Sequence, residues 1–239
     1  MSKVLIVGDI HNKVQKAETA MGNWTGPIIQ VGDIFDDFHD TVNDAIEAAE
    51  WLKQSILQPN RTHLMGNHDI QYMLPLNSGI YCSGYSVDKH KAIRSVLTDE
   101  DWSHVKYFLS VNNCWFSHAG ITRMWFEHPI NGLTLDGINE QINKAVHSIN
   151  DKTYANIQCL YAADYFRGGR SKKGGLLWND WRNSDFIEGV TQIVGHTPYD
   201  SIQCTKDSSI NSININVDTH MRQVITLDTI TSAYEIIEC

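Results

Sequence analysis

Five apolar runs of this chain each end at a small residue that is followed at once by Asp, Asn or His. The runs span 4–8, 28–32, 63–66, 114–117 and 192–195. A short apolar run bounded by glycine is typical of a buried strand, and ligands of open sheets gather beyond the carboxyl ends of strands. The residues brought to one edge by such strands would be Asp9, His11, Asp33, Asn67, His118 and His196. Two carboxylates, one amide and three imidazoles predict a two-metal site and metal-assisted phosphoester hydrolysis.

Composition narrows the class of protein. The chain has 239 residues, of which 42% are hydrophobic, so it can build a large core. A net charge of −9 argues against a general nucleic-acid or membrane-surface binder. The five cysteines lack C-x-x-C spacing, and neither a signal peptide nor a membrane span is evident. We therefore expect a cytoplasmic protein without a disulfide framework.

The order of strand and helix signals predicts an α/β chain with a largely parallel inner sheet. Helices are expected over 13–21, after the capping box of Thr41 and Asp44, from Ser86 to Leu97, and over 102–109 after a second capping box. Residues of about 121–175 have helical spacing and read as an insertion within one domain that covers 1–239. The tail alternates in polarity over 213–217, which favours an antiparallel strand. Histidines outside the five motifs, His63 among them, are expected at the surface or on helix faces.

The spacing within the motifs assigns the metal ligands. In an extended segment residues i and i+2 point the same way, so Asp9 and His11 can hold one cation. Asp33 can bridge to a second cation. Asn67, His118 and His196 would complete that second site. Metal ions about 3.5–4 Å apart can hold a phosphoryl group and activate the attacking water together.

His68 follows Asn67 and has a different predicted role. A histidine that is not bound to metal can protonate the leaving oxygen near neutral pH. Asp36, three residues after the bridging Asp33, would orient its ring. Asp69 is expected to support the turn or a helix N-terminus.

Taken together, the motifs resemble those of the calcineurin-like metallophosphoesterase superfamily. Its pattern GD-x-H, GD-x-x-D, GNH-[DE], a lone His and GH occurs here in order, over about 200 residues. Three stretches, 117–121, 176–180 and 195–198, are similar to the serine/threonine phosphoprotein phosphatase branch, of a bacterial or phage type. The resemblance implies a metallophosphoesterase fold, a central β-sandwich of mixed sheets flanked by helices. It also implies two divalent metal ions, with manganese expected first and iron, zinc or nickel as alternatives.

One departure from the resemblance bears on substrate. Phosphoprotein phosphatases follow GD-x-x-D with Arg-Gly, and that Arg clamps the phosphate, whereas this chain has Asp37 and Phe38. Candidates for a replacement clamp are Arg167, Arg170 and Arg182, of which the first two lie in a basic glycine-rich loop. Trp178 and Trp181 flank the expected rim and are candidates to stack on a substrate ring.

Three functions follow from these residues. The leading one is a metal-dependent phosphomonoesterase that acts on a phosphorylated protein or a small phosphate ester. A phosphodiesterase or dinucleoside-polyphosphate hydrolase is the alternative, favoured by Asp37 because a diester carries less charge. The third, a non-catalytic scaffold on the same fold, is disfavoured because every ligand and His68 are present. Stable binding to nucleic acid or membrane is not expected.

Overall fold

The computed structural model describes residues 3–123, 139, 140, 160 and 162–239. Within them the chain forms ten strands and five α-helices. The strands are β1 (Lys3–Val7), β2 (Ile28–Gln30), β3 (Arg61–His63), β4 (Phe108–Val111), β5 (Cys114–Ser117), β6 (Thr191–Val194), β7 (Gln203–Asp207), β8 (Ser212–Asn216), β9 (Gln223–Asp228) and β10 (Tyr234–Glu238). The helices are α1 (Val14–Met21), α2 (Val42–Ser55), α3 (Asn67–Met73), α4 (Val87–Val96) and α5 (Asp99–Ser103).

The strands form two mixed sheets of five strands each. The first has the order β10-β9-β1-β2-β3 and the second the order β4-β5-β6-β8-β7. β1, β2 and β3 run parallel, and so do β5, β6 and β8. The site-bearing runs are thus divided between two sheets. The tail strand β8 pairs antiparallel with β7, as expected, but its other neighbour β6 is parallel to it.

The two faces of β1 show how the layers are built. Val4 and Ile6 belong to a core shared with Phe116 and Ile193 of the second sheet. Leu5, between them in sequence, belongs to the core that the helices share. This period-two alternation of buried side chains is what a strand covered on both faces requires. The result is a β-sandwich flanked by helices, so the predicted fold class is confirmed.

Side-chain caps determine where three helices begin. Thr41 and Asp44 form the predicted capping box of α2, and Ser86 Oγ accepts from Lys89 N at the start of α4. Thr98 caps α5 as predicted, but α5 ends at Ser103 and the helix expected over 102–109 is wrong. Its last two residues, Phe108 and Leu109, belong to β4, because hydrogen bonds to β5 outweigh the weak helical preference of a short segment.

The predicted helical insertion over 121–175 lies mostly outside the described residues. Its described end, 162–175, contains the 3-10 turn Tyr165–Arg167 and loop. Helices long and apolar enough to cross a bilayer are absent from the described parts of the chain.

His63, at the end of β3, is 2% exposed rather than at the surface. Burial and the charge of Arg61 lower the pKa of His63 to about 3. Below the ordinary value of about 6.5 the unfolded chain binds this proton and the folded chain does not, so stability is lost as the pH falls. We expect the free energy of unfolding, measured in urea with chelator, to fall by about 2 kcal/mol more between pH 6.5 and 5 in the native chain than in His63→Gln.

The matched control is His104→Gln, which replaces an exposed histidine. Its free energy of unfolding should keep the pH dependence of the native chain. An equal pH dependence in His63→Gln and the native chain would show that His63 is not held neutral.

Candidate functional site

Glycine is required where the motif loops of the two sheets approach the acidic side chains. A Cβ at Gly66 would overlap Asp33, and a Cβ at Gly195 would overlap the carboxylate of Asp9. The motif glycines after β3 and β6 therefore let these buried carboxylates lie directly against the backbone. This contact brings the loops after β1, β2, β3 and β6 together.

Three side chains converge on one nitrogen, His118 Nε2. Asn67 Oδ1 lies 2.9 Å from it, His196 Nδ1 lies 3.1 Å from it, and Asp33 Oδ2 lies 3.3 Å from it. His118 is fully buried and the other three are at most 6% exposed. A single N–H donates well to one acceptor, so three lone-pair donors around one ring nitrogen suit a cation better than a hydrogen bond.

The orientation of the His118 ring supports this interpretation. Its Nδ1 lies 2.9 Å from the carbonyl oxygen of Val31 and can donate to it, which leaves Nε2 as the lone-pair nitrogen of a neutral ring. Burial alone would lower the pKa of His118, but the charge of Asp33 and the hydrogen bond to it raise it. In the absence of a metal a proton satisfies this cluster, and a bound divalent cation would replace that proton.

His196 supplies a second unsatisfied nitrogen. Its Nε2 is buried and has no hydrogen-bond partner. Burial and the neighbouring charges of His118 and Arg167 lower the pKa of His196 well below its ordinary value. A neutral imidazole has one lone-pair nitrogen, so either Nδ1, beside His118 Nε2, or the unpartnered Nε2 can bind a metal ion while the other nitrogen carries the proton.

The second cluster comprises Asp9, His11 and Asp33, whose ligand atoms all lie within 4.8 Å of one another. His11 Nδ1 lies 2.6 Å from the carbonyl oxygen of Asp36, so Nε2 is the nitrogen that faces Asp9, at 4.0 Å. Burial and the carboxylates of Asp218 and Asp33 raise the pKa of Asp9 well above its ordinary value. Crowded buried carboxylates of this kind are stabilised by a divalent cation.

Four residues in the loops of this site have left-handed backbone conformations. The φ angles are 46° at His11, 55° at Asp33, 65° at Asp36 and 69° at His196. Non-glycine residues in this region cost of order 1–3 kcal/mol each and cluster at functional sites. The turns after β1, β2 and β6 therefore accept backbone strain, and this conformation directs the side chains of His11, Asp33, Asp36 and His196 into the site.

The Asp36–His68 pair lies beside these ligands, and the rings of His11 and His68 are 5.3 Å apart. His68 Nδ1 is 3.1 Å from Asp36 Oδ2. Gln71 and Tyr72 each donate to the same carboxylate at 2.5 Å. Burial opposes the charge on His68, but the nearby Asp33 and the hydrogen bond to Asp36 outweigh it and raise the pKa of His68 well above its ordinary value. The ring is therefore held in place, and the two carboxylates favour its protonated form.

Lys89 of α4 completes the environment of Asp36, a role that the sequence did not suggest. Its Nζ lies 2.7 Å from Asp36 Oδ1 and 2.9 Å from Asp40 Oδ2, and the residue is 5% exposed. Burial opposes its charge, but the hydrogen bonds to Asp36 and Asp40 raise the pKa of Lys89. One cation thus balances two acids at the edge of the site.

Removal of Lys89 leaves the Asp40 carboxylate without its cation and leaves Asp36 with His68 as its remaining cationic partner. We expect Lys89→Met to lower the free energy of unfolding by about 3 kcal/mol or more, because breaking a buried ion pair on one side costs about that much. Urea unfolding measures the change. The control is Lys91→Met on the same helix, which alters an exposed lysine and should stay within about 0.5 kcal/mol of the native chain. Equal unfolding midpoints for the two variants would contradict the assignment.

A cavity of about 720 Å³ opens over both clusters and the Asp36–His68 pair. Among the candidate phosphate clamps, Arg167 lines it, whereas Arg170 and Arg182 are not among its lining residues. Arg182 is bound to Asp180 by Nε at 2.7 Å and Nη2 at 3.0 Å. Arg167 Nε also lies 2.9 Å from Asp180 Oδ2, so the Asp180 carboxylate forms an ion pair with both arginines.

Several residues of the cavity were not assigned from sequence. Asp218, 2% exposed, lies beside Asp9 at the end of β8, and the tail residue His220 lines the same cavity. Lys13 lines it as well and pairs with Asp37 at 3.0 Å. The alternating strand pattern over 213–217 was the available signal for Asp218, because that residue also follows the end of a buried strand. Asp69 accepts from Gly66 N and so supports the turn, as predicted.

Two mixed sheets, with motif loops of both sheets meeting over one cavity, define the metallophosphoesterase fold. The chain matches a cold-active protein tyrosine phosphatase with a TM-score of 0.63 and 17% identity, over 99% of this chain and 78% of the other. It matches a protein serine/threonine phosphatase from Saccharomyces cerevisiae with a TM-score of 0.52 and 13% identity, over 100% and 80%. A metallophosphoesterase from Sphaerobacter thermophilus matches with a TM-score of 0.50 and 11% identity, over 99% and 88%.

No protein-family model matches the sequence, and no curated protein matches it. The likeness is thus one of fold, at identities of 11–17%. The predicted metallophosphoesterase fold is confirmed at this level.

Proposed function

We propose that this protein is a metal-dependent phosphoester hydrolase. The observation that carries the proposal is the convergence of Asp33, Asn67 and His196 on His118 Nε2, beside the Asp36–His68 pair, in one cavity. The phosphatases and metallophosphoesterases that share the fold support the same reaction class. Fold alone does not define activity, so the argument rests on the donor atoms of this chain.

The donor set fits two divalent cations. Asp9, His11 and Asp33 would hold the first, and Asp33, Asn67, His118 and His196 the second, with Asp33 shared. When bound, such ions polarise the phosphoryl oxygens and supply an activated water at neutral pH. Manganese is the metal we propose first, and iron, zinc and nickel suit the same ligands.

His68 is the proposed general acid. Asp36 holds its Nδ1, so Nε2 is the nitrogen that can donate a proton to the leaving oxygen. Asp36 in turn is held by Lys89, Gln71 and Tyr72, which keeps the carboxylate from turning away. Arg167 is the cavity-lining arginine and the remaining candidate from sequence for contact with the phosphate.

A phosphomonoester, on a protein or a small molecule, is the substrate we propose. A phosphodiester or dinucleoside polyphosphate is the second candidate, and one observation favours it. The three Lys and Arg side chains that line the cavity are all ion-paired, Lys13 with Asp37, Lys89 with Asp36 and Arg167 with Asp180. A cavity with no unpaired Lys or Arg among its described lining gives a dianionic monoester less added attraction, which lowers the advantage of a monoester over a monoanionic diester.

Hydrolysis of p-nitrophenyl phosphate and bis-p-nitrophenyl phosphate tests the proposal. We expect turnover of the monoester with manganese and its loss with chelator. Preference for the diester would select the second candidate. Failure to hydrolyse either ester with manganese, iron, zinc or nickel would refute a hydrolase and favour the scaffold. The single domain over 1–239 and the cytoplasmic location stay predictions.

A further inference from the structure

Phe38 has an unusual place for an exposed apolar side chain. It is 91% exposed, more than any other large hydrophobic residue that the structure describes. A lone exposed aromatic ring is ordinary on a protein surface. Phe38, however, lies two residues after Asp36 and lines the same cavity as His68 and the metal-ligand cluster. Its ring is therefore available to whatever enters the site.

The loop that carries Phe38 is anchored on both sides. Phe38 N donates to Asp37 Oδ1 at 2.9 Å, and Asp37 is paired with Lys13 at 3.0 Å. Beyond Phe38, Asp40 accepts from Lys89 and from Asn12 Nδ2, the latter at 2.6 Å. A ring on a backbone tethered in this way loses less freedom when it contacts a ligand.

A second aromatic side chain, Trp178, lines the cavity from a different chain segment. Its ring lies edge-on to His196, with centroids 5.5 Å apart and planes at 81°. Trp178 is thereby next to a proposed metal ligand, where the phosphorus atom of a substrate would lie. Val42 and Pro198 add apolar surface to the same cavity.

We propose that Phe38 and Trp178 form a subsite for an aromatic ring bonded directly to the phosphate oxygen. The substrate class is an aryl phosphoester, of which phosphotyrosine is the amino-acid member. Offset or edge-to-face contact between rings at 4.5–7 Å is favourable beyond the area buried. A cavity of about 720 Å³ also has room for an organic group beside the phosphate. This inference rests on the proposed hydrolase function and specifies its leaving group.

The test compares phosphotyrosine with phosphoserine, as free amino acids and with manganese present. Phe38→Ala should lower kcat/KM for phosphotyrosine by about three- to tenfold, the range that one aromatic pair contributes. The value for phosphoserine should stay within about twofold, because that ester has no ring. Each variant is compared with the native chain on the same ester, so the intrinsic reactivity of phosphotyrosine and phosphoserine cancels in the comparison.

Three variants control the comparison. Phe38→Tyr keeps the ring and should retain the native value for phosphotyrosine, whereas Phe38→Leu keeps apolar bulk without a ring and should lose as Phe38→Ala does. Ile230→Ala removes another exposed apolar side chain, 66% exposed and outside the cavity lining, and should change neither substrate.

An equal loss on phosphoserine and phosphotyrosine would overturn the inference while leaving the hydrolase intact. Adenosine 5′-monophosphate, whose ring is separated from the phosphate by a sugar, is assayed as a third ester. If Phe38→Ala lowers kcat/KM for this ester alone, the inference is overturned and the subsite is one for a nucleobase. If the native chain hydrolyses none of these esters, the proposed function itself fails and the aryl subsite falls with it.

Discussion

His118→Ala should abolish phosphoester hydrolysis and remove one of the two bound manganese ions. The substitution deletes the nitrogen around which Asn67, His196 and Asp33 converge. Loss of a residue that only supports a metal ligand costs about 10- to 100-fold, so loss of the ligand itself should exceed this range. The measurements are metal content after dialysis and turnover of p-nitrophenyl phosphate.

His104→Ala is the control for His118→Ala, because it removes an exposed histidine outside the site and should keep both metal ions and full turnover. Far-UV circular dichroism and the urea midpoint establish whether His118→Ala folds. If it does not, His118→Gln retains a polar side chain and should show the same loss of metal. A folded variant with two metal ions and native activity would contradict the ligand assignment.

The metal ligands could be predicted from sequence because each depends on local pattern alone. A strand, a small residue and a polar residue lie within a few positions, as in Val7–Gly8–Asp9 and Val194–Gly195–His196. These signals hold whichever sheet the strand joins. Long-range strand pairing decides which sheet each run joins, and the sequence of a run does not specify that pairing. The sandwich was therefore predicted from the family resemblance.

Lys89 shows what a local pattern leaves out. It lies in a polar stretch with Asp88, His90 and Lys91, which resembles a solvated helix face. Packing of α4 against α2 and α3 buries Lys89 and carries its ammonium group to Asp36, 53 residues away in sequence. Only tertiary structure could reveal this contact. The same holds for Asp37, whose charge is countered by Lys13 and does not stand unopposed in the cavity.

His68→Ala is expected to lower kcat for phosphoserine by about 10²- to 10⁴-fold, because general acid catalysis contributes about that much. Both metal ions should stay bound. His68 contacts Asp36 through its side chain but reaches Asp33 only through its backbone N–H, at 2.9 Å, which the substitution keeps. Metal content should therefore equal that of the native chain. This separates His68 from His118, for which activity and metal are lost together.

The leaving group then distinguishes a proton donor from a residue that only shapes the site. A p-nitrophenolate ion leaves without a proton, whereas the alkoxide of phosphoserine needs one. The loss in His68→Ala should accordingly be largest for phosphoserine and much smaller for p-nitrophenyl phosphate. Equal losses on both esters would mean that His68 acts through binding or position. Since Lys89 and Tyr72 still hold Asp36 in the variant, any difference between the two esters reports the missing proton and not a displaced carboxylate.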